Sequence, residues 1–190
     1  MAYLTEPELK KMNFKLLGTN IKISDKASIY NADQIEIGDN SRIDDFCVIS
    51  GLVKLGRHVH ITPMCLLAGG SKGIFMGDFS ALAYGVKVFT QSDDYSGKYM
   101  TNPTVPSEYT KPIKRAIYIE KHVIVGTNSV LLPGCKIEEG VSVGAVSLVQ
   151  GTLKKWKIYA GVPALEIRDR SKTLLELESI YAKGSNKTNE

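Results

Sequence analysis

The stretch IEKHVI-VGTNSV-LLPGCK-IEEGVS-VGAVSL-V, residues 119–149, places an aliphatic side chain at Ile119, Val125, Leu131, Ile137, Val143 and Val149, one every sixth residue. A second run does the same at Ile37, Ile43, Ile49, Leu55, Ile61 and Leu67. A helix repeats every 3.6 residues and a strand every 2, so neither asks for this period. A six-residue period sustained twice is the mark of a parallel β-helix, in which each short strand buries one aliphatic before the chain turns a corner.

Two regularities refine this reading. The residue two places before each aliphatic is small or β-branched: Ser41, Cys47, Val53, Val59 and Cys65, then Val123, Ser129, Cys135, Val141 and Ser147. Residues i and i−2 of a strand point the same way, so these side chains share the interior with the aliphatics. Glycine follows the repeat aliphatic at one corner in three, in Ile37-Gly38, Leu55-Gly56, Met76-Gly77, Val125-Gly126 and Val143-Gly144. Ile37-Gly38 and Leu55-Gly56, and again Val125-Gly126 and Val143-Gly144, stand 18 residues apart, three hexapeptides per coil, which makes the cross-section a triangle. Glycine is expected there for its freedom to adopt backbone angles closed to other residues.

The cysteines need no chemistry. Cys47, Cys65 and Cys135 all fall on the inward i−2 position, which wants a small apolar side chain, and no Cys-x-x-Cys pairing exists. Reduced thiols and an N-terminus without an apolar signal segment point to the cytoplasm. No stretch approaches the roughly 18 apolar residues of a membrane span.

At 190 residues the chain is one domain, and a solenoid needs caps at its ends. Residues 1–18 are assigned to an N-terminal cap, with a short helix over 6–14. Residues 19–168 are assigned to the β-helix. Residues 169–190 are assigned to a C-terminal helix over 169–183, with Leu174, Leu177 and Tyr181 at helical spacing, and a polar tail from Gly184 expected to be disordered. The net charge of +4 comes without a run of Lys or Arg. It suits anionic small molecules and argues against nucleic acid, which wants a clustered basic patch.

Function in a repeat protein is sought where the pattern breaks. Between Ile35 and Ile37 the phase slips by two, a bland adjustment after the entry coil. From Leu67 to Met76 the spacing is nine, with a glycine-rich insert Gly69-Gly70-Ser71-Lys72-Gly73. That order lacks the Gly-Lys-Ser/Thr of a phosphate loop, so it reads as a corner bulge. The third break is long: after Val88 the next phased residue is Ile119, an insertion over 89–118. It contains Tyr95, Tyr99, Tyr109 and Tyr118, which suit a loop folded over a ligand or a neighbouring subunit better than a solvated linker.

With that loop in mid-prism, the run 119–149 and the closing segment Trp156-Lys-Ile-Tyr-Ala-Gly-Val-Pro-Ala-Leu-Glu-Ile-Arg168, the chain resembles the hexapeptide sugar acetyltransferases, which include galactoside and maltose acetyltransferases. The resemblance covers about residues 19–170. It implies a left-handed coil, an all-β fold, a homotrimer, and acetyl-CoA lying in the groove between two prisms with the acceptor beneath the loop. Gly126-Thr127 and Gly144-Ala145 would line the pantetheine arm, and the Thr127 backbone N–H would face the thioester carbonyl. Arg168 and Arg170 would sit near the CoA phosphates, a job for a fixed guanidinium fork. Tyr95, Tyr99 and Asn102 of the loop would contact the sugar.

Here the chain departs from that family. The sugar O-acetyltransferases carry a histidine at the loop start as general base, whereas His58, His60 and His122 all lie outside it. Counted from the Val88 register, the histidine position falls on Asp93, with Asp94 beside it. A sugar hydroxyl needs a base with a pKa suited to neutral pH, and an aspartate at about 3.9 is a weak one. A neutral amine needs no deprotonation to attack; a carboxylate can hold it and accept its proton afterwards. The loop Ser-Asp-Asp-Tyr-Ser-Gly-Lys-Tyr also looks like that of enzymes acetylating nucleotide-linked amino sugars for O-antigen synthesis. The favoured expectation is therefore N-acetylation of such a sugar, with O-acetylation of a galactoside or maltose type of hydroxyl as the alternative. Asp93 and Asp94 also read as an Asx-turn pair shaping the loop start. His58 and His60 read as surface or structural residues ahead of any catalytic role. A zinc carbonic anhydrase on the same prism is disfavoured by the histidine spacing, and no metal is expected. An ice-binding solenoid is disfavoured by the mixed outward residues Lys54, His60, Lys87 and Lys136.

Overall fold

The computed structural model describes residues 2–185; the end of the expected tail lies outside them. The chain forms a left-handed parallel β-helix of seven coils with a helix at either end. One face stacks the strands Lys22–Ile23, Arg42–Ile43, His60–Ile61, Ala81–Leu82, Ile124–Val125, Ser142–Val143 and Lys157–Ala160 in parallel register. Each inward aliphatic sits on its counterpart in the next coil, as Ile43 on Ile61 and Leu82 on Val125. The predicted interior is buried throughout, the i−2 set Ser41 to Ser147 included. Burying one such aliphatic contributes about 1.5–3 kcal/mol, and every coil depends on its neighbours to complete that burial.

The buried serines fill the same slot as the cysteines and show what it requires. Ser129 Oγ donates to the Gly144 carbonyl at 3.0 Å and accepts the Ser147 N–H at 3.2 Å. Cys47 Sγ approaches the Thr62 carbonyl at 3.1 Å and Cys65 Sγ the Ala83 carbonyl at 3.2 Å. The neighbouring Cys65 thiol and burial push the Cys47 thiol well above its usual range, and burial pushes Cys135 to about 12. The same contact with Cys47 lowers the Cys65 thiol, but Cys65 is buried away from any substrate. A neutral or inaccessible thiol is a poor nucleophile. Cys47→Ser, Cys65→Ser and Cys135→Ser are therefore expected to keep turnover at saturating substrate, at a stability cost of at most about 3 kcal/mol. Loss of activity in a folded variant, measured by initial rates, would revive a thiol mechanism.

The glycines after the repeat aliphatics are needed for a reason other than the expected one. None of Gly38, Gly56, Gly77, Gly126 and Gly144 has positive φ. Instead the next coil passes so close that a Cβ on Gly38 would lie 2.6 Å from the Gly56 carbonyl carbon, and one on Gly126 2.5 Å from the Ala145 nitrogen. The left-handed backbone falls two residues later, on Asn40, His58, Phe79, Asn128 and Val146. Five ordinary residues hold that strained conformation because the coils above and below fix it.

The glycine-rich insert after Leu67 forms the expected bulge. Strands Val48–Leu55 and Leu66–Met76 run through the corner as one ladder whose register shifts around Gly51.

The ends differ in detail from expectation. Helix α1, Glu6–Lys11, has a capping box between Thr5 and Glu8 and buries Leu9 on the core. The first parallel strand, Leu16–Leu17, already pairs with Ile35–Ile37, so the cap is shorter than 18 residues. The helix expected over 169–183 starts later. Residues Leu165–Asp169 turn back as an antiparallel strand on Lys157–Ala160, and α2 spans Leu174–Ser185. All five residues of 165–169 are exposed, and the antiparallel ladder they form takes Asp169 out of the expected helix.

Helix α2 returns to the prism at one corner. There His58 stacks on Phe79 at 4.7 Å, Phe79 on His122 at 5.4 Å, and His122 meets Trp156 at 6.4 Å. Tyr181 of α2 stands edge-on to His58, and Glu178 accepts from His122 Nε2 at 2.8 Å and pairs with Lys121 at 2.6 Å. The Lys121 ammonium, and then His122, hold Glu178 below the usual glutamate range. A carboxylate depressed on folding adds stability above its unfolded pKa and loses it as pH falls through the folded value. The docking of α2 is expected to weaken below about pH 4.5, before the coils unfold. Emission from Trp156, the single tryptophan, should report it; a spectrum flat down to the main acid transition would contradict this docking.

Candidate active site

The insertion leaves the prism at Phe89 and returns at Arg115 on a short antiparallel stem, Gln91–Ser92 against Ile113–Lys114. Thr90 anchors it: its buried hydroxyl donates to the Gly69 carbonyl at 2.7 Å, and its own carbonyl accepts the Arg115 N–H at 2.9 Å. Beyond the stem the loop is tied by its own polar residues. Asp93 Oδ2 accepts the Asn102 N–H at 3.1 Å, nine residues on. Asn102 sits at positive φ, and its side-chain oxygen accepts from the Thr104 N–H at 2.9 Å and hydroxyl at 2.7 Å. Asp94 accepts the Ser96 hydroxyl at 2.7 Å and the Ser96 N–H at 3.2 Å. The Asx-turn reading is thus realised at Asp94, whereas Asp93 ties the loop across nine residues. The Ser96 hydroxyl is the main cause that holds Asp94 below the usual carboxylate range, so it is ionised at neutral pH.

Turn geometry does not exhaust these residues, because both aspartates also line a cavity of about 700 Å³. Its walls are Phe89, Tyr95, Ile113 and Arg115 from the insertion and Leu132, Pro133, Leu148 and Gln150 from the prism. Carboxylates set in a mainly apolar cleft suit an amine better than a neutral hydroxyl. Tyr95 lines the cavity yet is 92% exposed, so its ring projects outward. Tyr99 and Asn102 are not on its walls. Tyr99 lies under the Lys111 ammonium, 5.1 Å from the ring centroid.

The corners expected to line the pantetheine arm stack in register. The Thr127 carbonyl accepts the Val146 N–H at 2.8 Å, and the Tyr84 carbonyl accepts the Asn128 N–H at 2.8 Å. In chain order the strands Val130–Leu131 and Leu148–Val149 separate them from the cavity corner at Leu132-Pro133 and Gln150-Gly151. Within one chain, then, Thr127 and the two aspartates stand at opposite ends of a prism face.

The two arginines part company. Arg168 lies exposed on the last strand, opposite Ile158. Arg170 turns inward, and its Nη1 donates to the carbonyls of His122 at 2.8 Å, Gly140 at 3.0 Å and Val141 at 3.2 Å. Its guanidinium fastens the C-terminal segment to the prism, which the sequence pattern did not reveal.

The histidines are likewise occupied. His60 Nε2 meets Asp44 Oδ2 at 2.9 Å, and that carboxylate also pairs with Arg42. His58 and His122 belong to the stacked corner under α2, and none of the three lines the loop cavity. Arg115 was missed by the sequence reading. Its one signal is position, two residues before the buried Ile117 where the chain re-enters the prism.

The seven-coil left-handed prism with a mid-chain loop over a carboxylate-lined cleft, taken with its relatives, places the chain in the class of β-helix acyltransferases. No protein-family model matches the chain. It is 44% identical over 184 residues to the dTDP-4-amino-4,6-dideoxy-D-glucose acyltransferase of Escherichia coli, covering 95% of each chain. The chain belongs to that family of hexapeptide-repeat amino-sugar acyltransferases. Its fold superposes with a TM-score of 0.95 on AntD, an N-acyltransferase from Bacillus cereus solved with dTDP and 3-hydroxybutyryl-CoA, at 42% identity over 97% of this chain and 98% of AntD. A point mutant of AntD has also been solved with dTDP-4-amino-4,6-dideoxyglucose and coenzyme A, with a TM-score of 0.94 and 42% identity over 96% of this chain and 97% of that chain.

Proposed function

We propose that this protein transfers an acyl group, acetyl in the simplest case, from coenzyme A to the amine of a dTDP-linked 4-amino-4,6-dideoxy sugar. The observation that carries this reading is the pair Asp93 and Asp94 on the cleft, with every histidine engaged elsewhere. The ionised Asp94 holds the sugar amine. The neutral amine attacks the thioester carbonyl carbon, and the oxyanion is met by the Thr127 N–H. Collapse expels the CoA thiolate, and the proton lost by nitrogen passes to the carboxylate and on to the thiolate. Gly126, Gly144 and Ala145 border the pantetheine arm, Arg168 faces the CoA phosphates, and Tyr95 stands at the rim of the cleft beside the sugar. Asn102, with Asp93, shapes the loop.

Because the aspartates and Thr127 stand apart in one chain, the same reading assembles the site from two copies in a homotrimer. Phe46, Met64 and Tyr84 are exposed apolar residues on successive corners of one edge, with Val146 two coils beyond Tyr84, a natural seam for such packing. The reading places the enzyme in the cytoplasm, where activated sugars for cell-surface polysaccharide are made. The test is a thiol-release assay with acetyl-CoA and 3-hydroxybutyryl-CoA against dTDP-linked 4-amino sugars and simple glycosides. Turnover is expected with the amino sugars; turnover confined to glycoside hydroxyls would overturn the reading.

A further inference from the structure

We infer that Arg115 is the diphosphate-binding residue of the acceptor site and sets the direction in which a nucleotide-linked amino sugar lies in the cleft; this rests on the function proposed above. Among the described residues lining the cavity, Arg115 is the one cation, beside the two carboxylates Asp93 and Asp94. A substrate carrying both an amine and two phosphates meets a cleft that holds a complement for each. The carboxylates attract the amine and repel the diphosphate, which leaves Arg115 to take the phosphates.

Arg115 is also built for that position. Its backbone is pinned through the N–H to the Thr90 carbonyl, at the foot of the loop. Its aliphatic stem lies over Gly134, where a Cβ would stand 2.8 Å from Arg115 Cδ and 3.1 Å from its Cβ. Gly134 has φ +87°, a conformation that favours glycine, so this corner both turns the chain and makes room for the stem. Among the described residues no carboxylate forms an ion pair with the guanidinium, and its donors are left for a ligand. A planar fork of N–H groups suits phosphate oxygens. The other exposed arginine near a proposed phosphate, Arg168, lies on the last strand and not on this cavity.

The test compares wild type with Arg115→Met and Arg115→Lys, titrating dTDP, thymidine and coenzyme A by calorimetry. Removing a charged hydrogen-bonding partner is expected to weaken dTDP about 10- to 100-fold, with thymidine and coenzyme A changed by less than about twofold. Arg115→Lys keeps the charge without the fork and should fall between; should Arg115→Met not fold, the lysine variant alone must still lose dTDP affinity selectively. Equal dTDP affinity in a folded variant and wild type would overturn the role of Arg115 while leaving the acyltransfer reading intact. A loss shared by coenzyme A would reassign the residue to the donor. Wild type that binds no dTDP would remove the reading and this inference together.

Discussion

Asp94→Asn is expected to lower kcat by about 10²- to 10⁴-fold, the range for losing a group that accepts a proton in the reaction. Asparagine keeps the size and the Ser96 turn but cannot hold an ammonium or take its proton. Asp93 reaches across the loop to Asn102, so Asp93→Asn should act on loop order and raise KM more than it lowers kcat. Both constants should be measured across pH. For wild type, kcat/KM should rise with the fraction of neutral amine and show no inflection near pH ~6.5, because Asp94 is ionised throughout. His58→Ala, His60→Ala and His122→Ala should each stay within about tenfold of wild type in kcat, ~1.4 kcal/mol of barrier. A loss of about 10² or more on removing any one histidine would reject the amine-directed mechanism, and so would Asp94→Asn at wild-type rate.

The second large effect is on stability. Gly38→Ala adds one methyl at a surface corner, where a substitution would ordinarily be harmless. Here the new Cβ would meet the Gly56 carbonyl carbon at 2.6 Å, its oxygen at 2.7 Å and the Arg57 nitrogen at 2.8 Å, all backbone of the next coil. Backbone cannot rotate away as a side chain can, so the coils must separate. The expected cost is about 3 kcal/mol, the upper part of the range for overpacking. That corresponds to a melting point lower by roughly 6–12 °C for a chain of this length. Gly97→Ala, on the loop with open space around it, is the matched control and should cost about 1 kcal/mol through its positive φ alone. A Gly38→Ala protein that melts with the control would show that the coils tolerate wider spacing.

The fold was legible because a solenoid writes its tertiary structure into local order. Each coil buries its aliphatic against the same position in the next, so Ile43 and Ile61, and again Val125 and Val143, recur 18 residues apart in the sequence. The inward place of Cys47, Cys65 and Cys135 followed from the same period. So did the loop, as an interruption of it, and the substitution of aspartates for the expected histidine. Contacts without a period stayed hidden. Nothing in the order of residues announced that Arg170 would turn back to the carbonyls of His122, Gly140 and Val141, or that Glu178 would cross 56 positions to reach His122. The glycine corners show the division most plainly. Their positions were evident from sequence, but the reason for them, the nearness of another coil, exists only once the chain has wound. The site divides the same way. Residue type pointed to Asp93 and Asp94, whereas the place of Arg115 in the same cleft depends on the stem at Thr90 and the space over Gly134. The sequence alone determined the coil and the place where it is interrupted, because both are set by neighbours six residues away. Only the tertiary structure decided which charged groups line the cleft together, because packing over long separations brings them there.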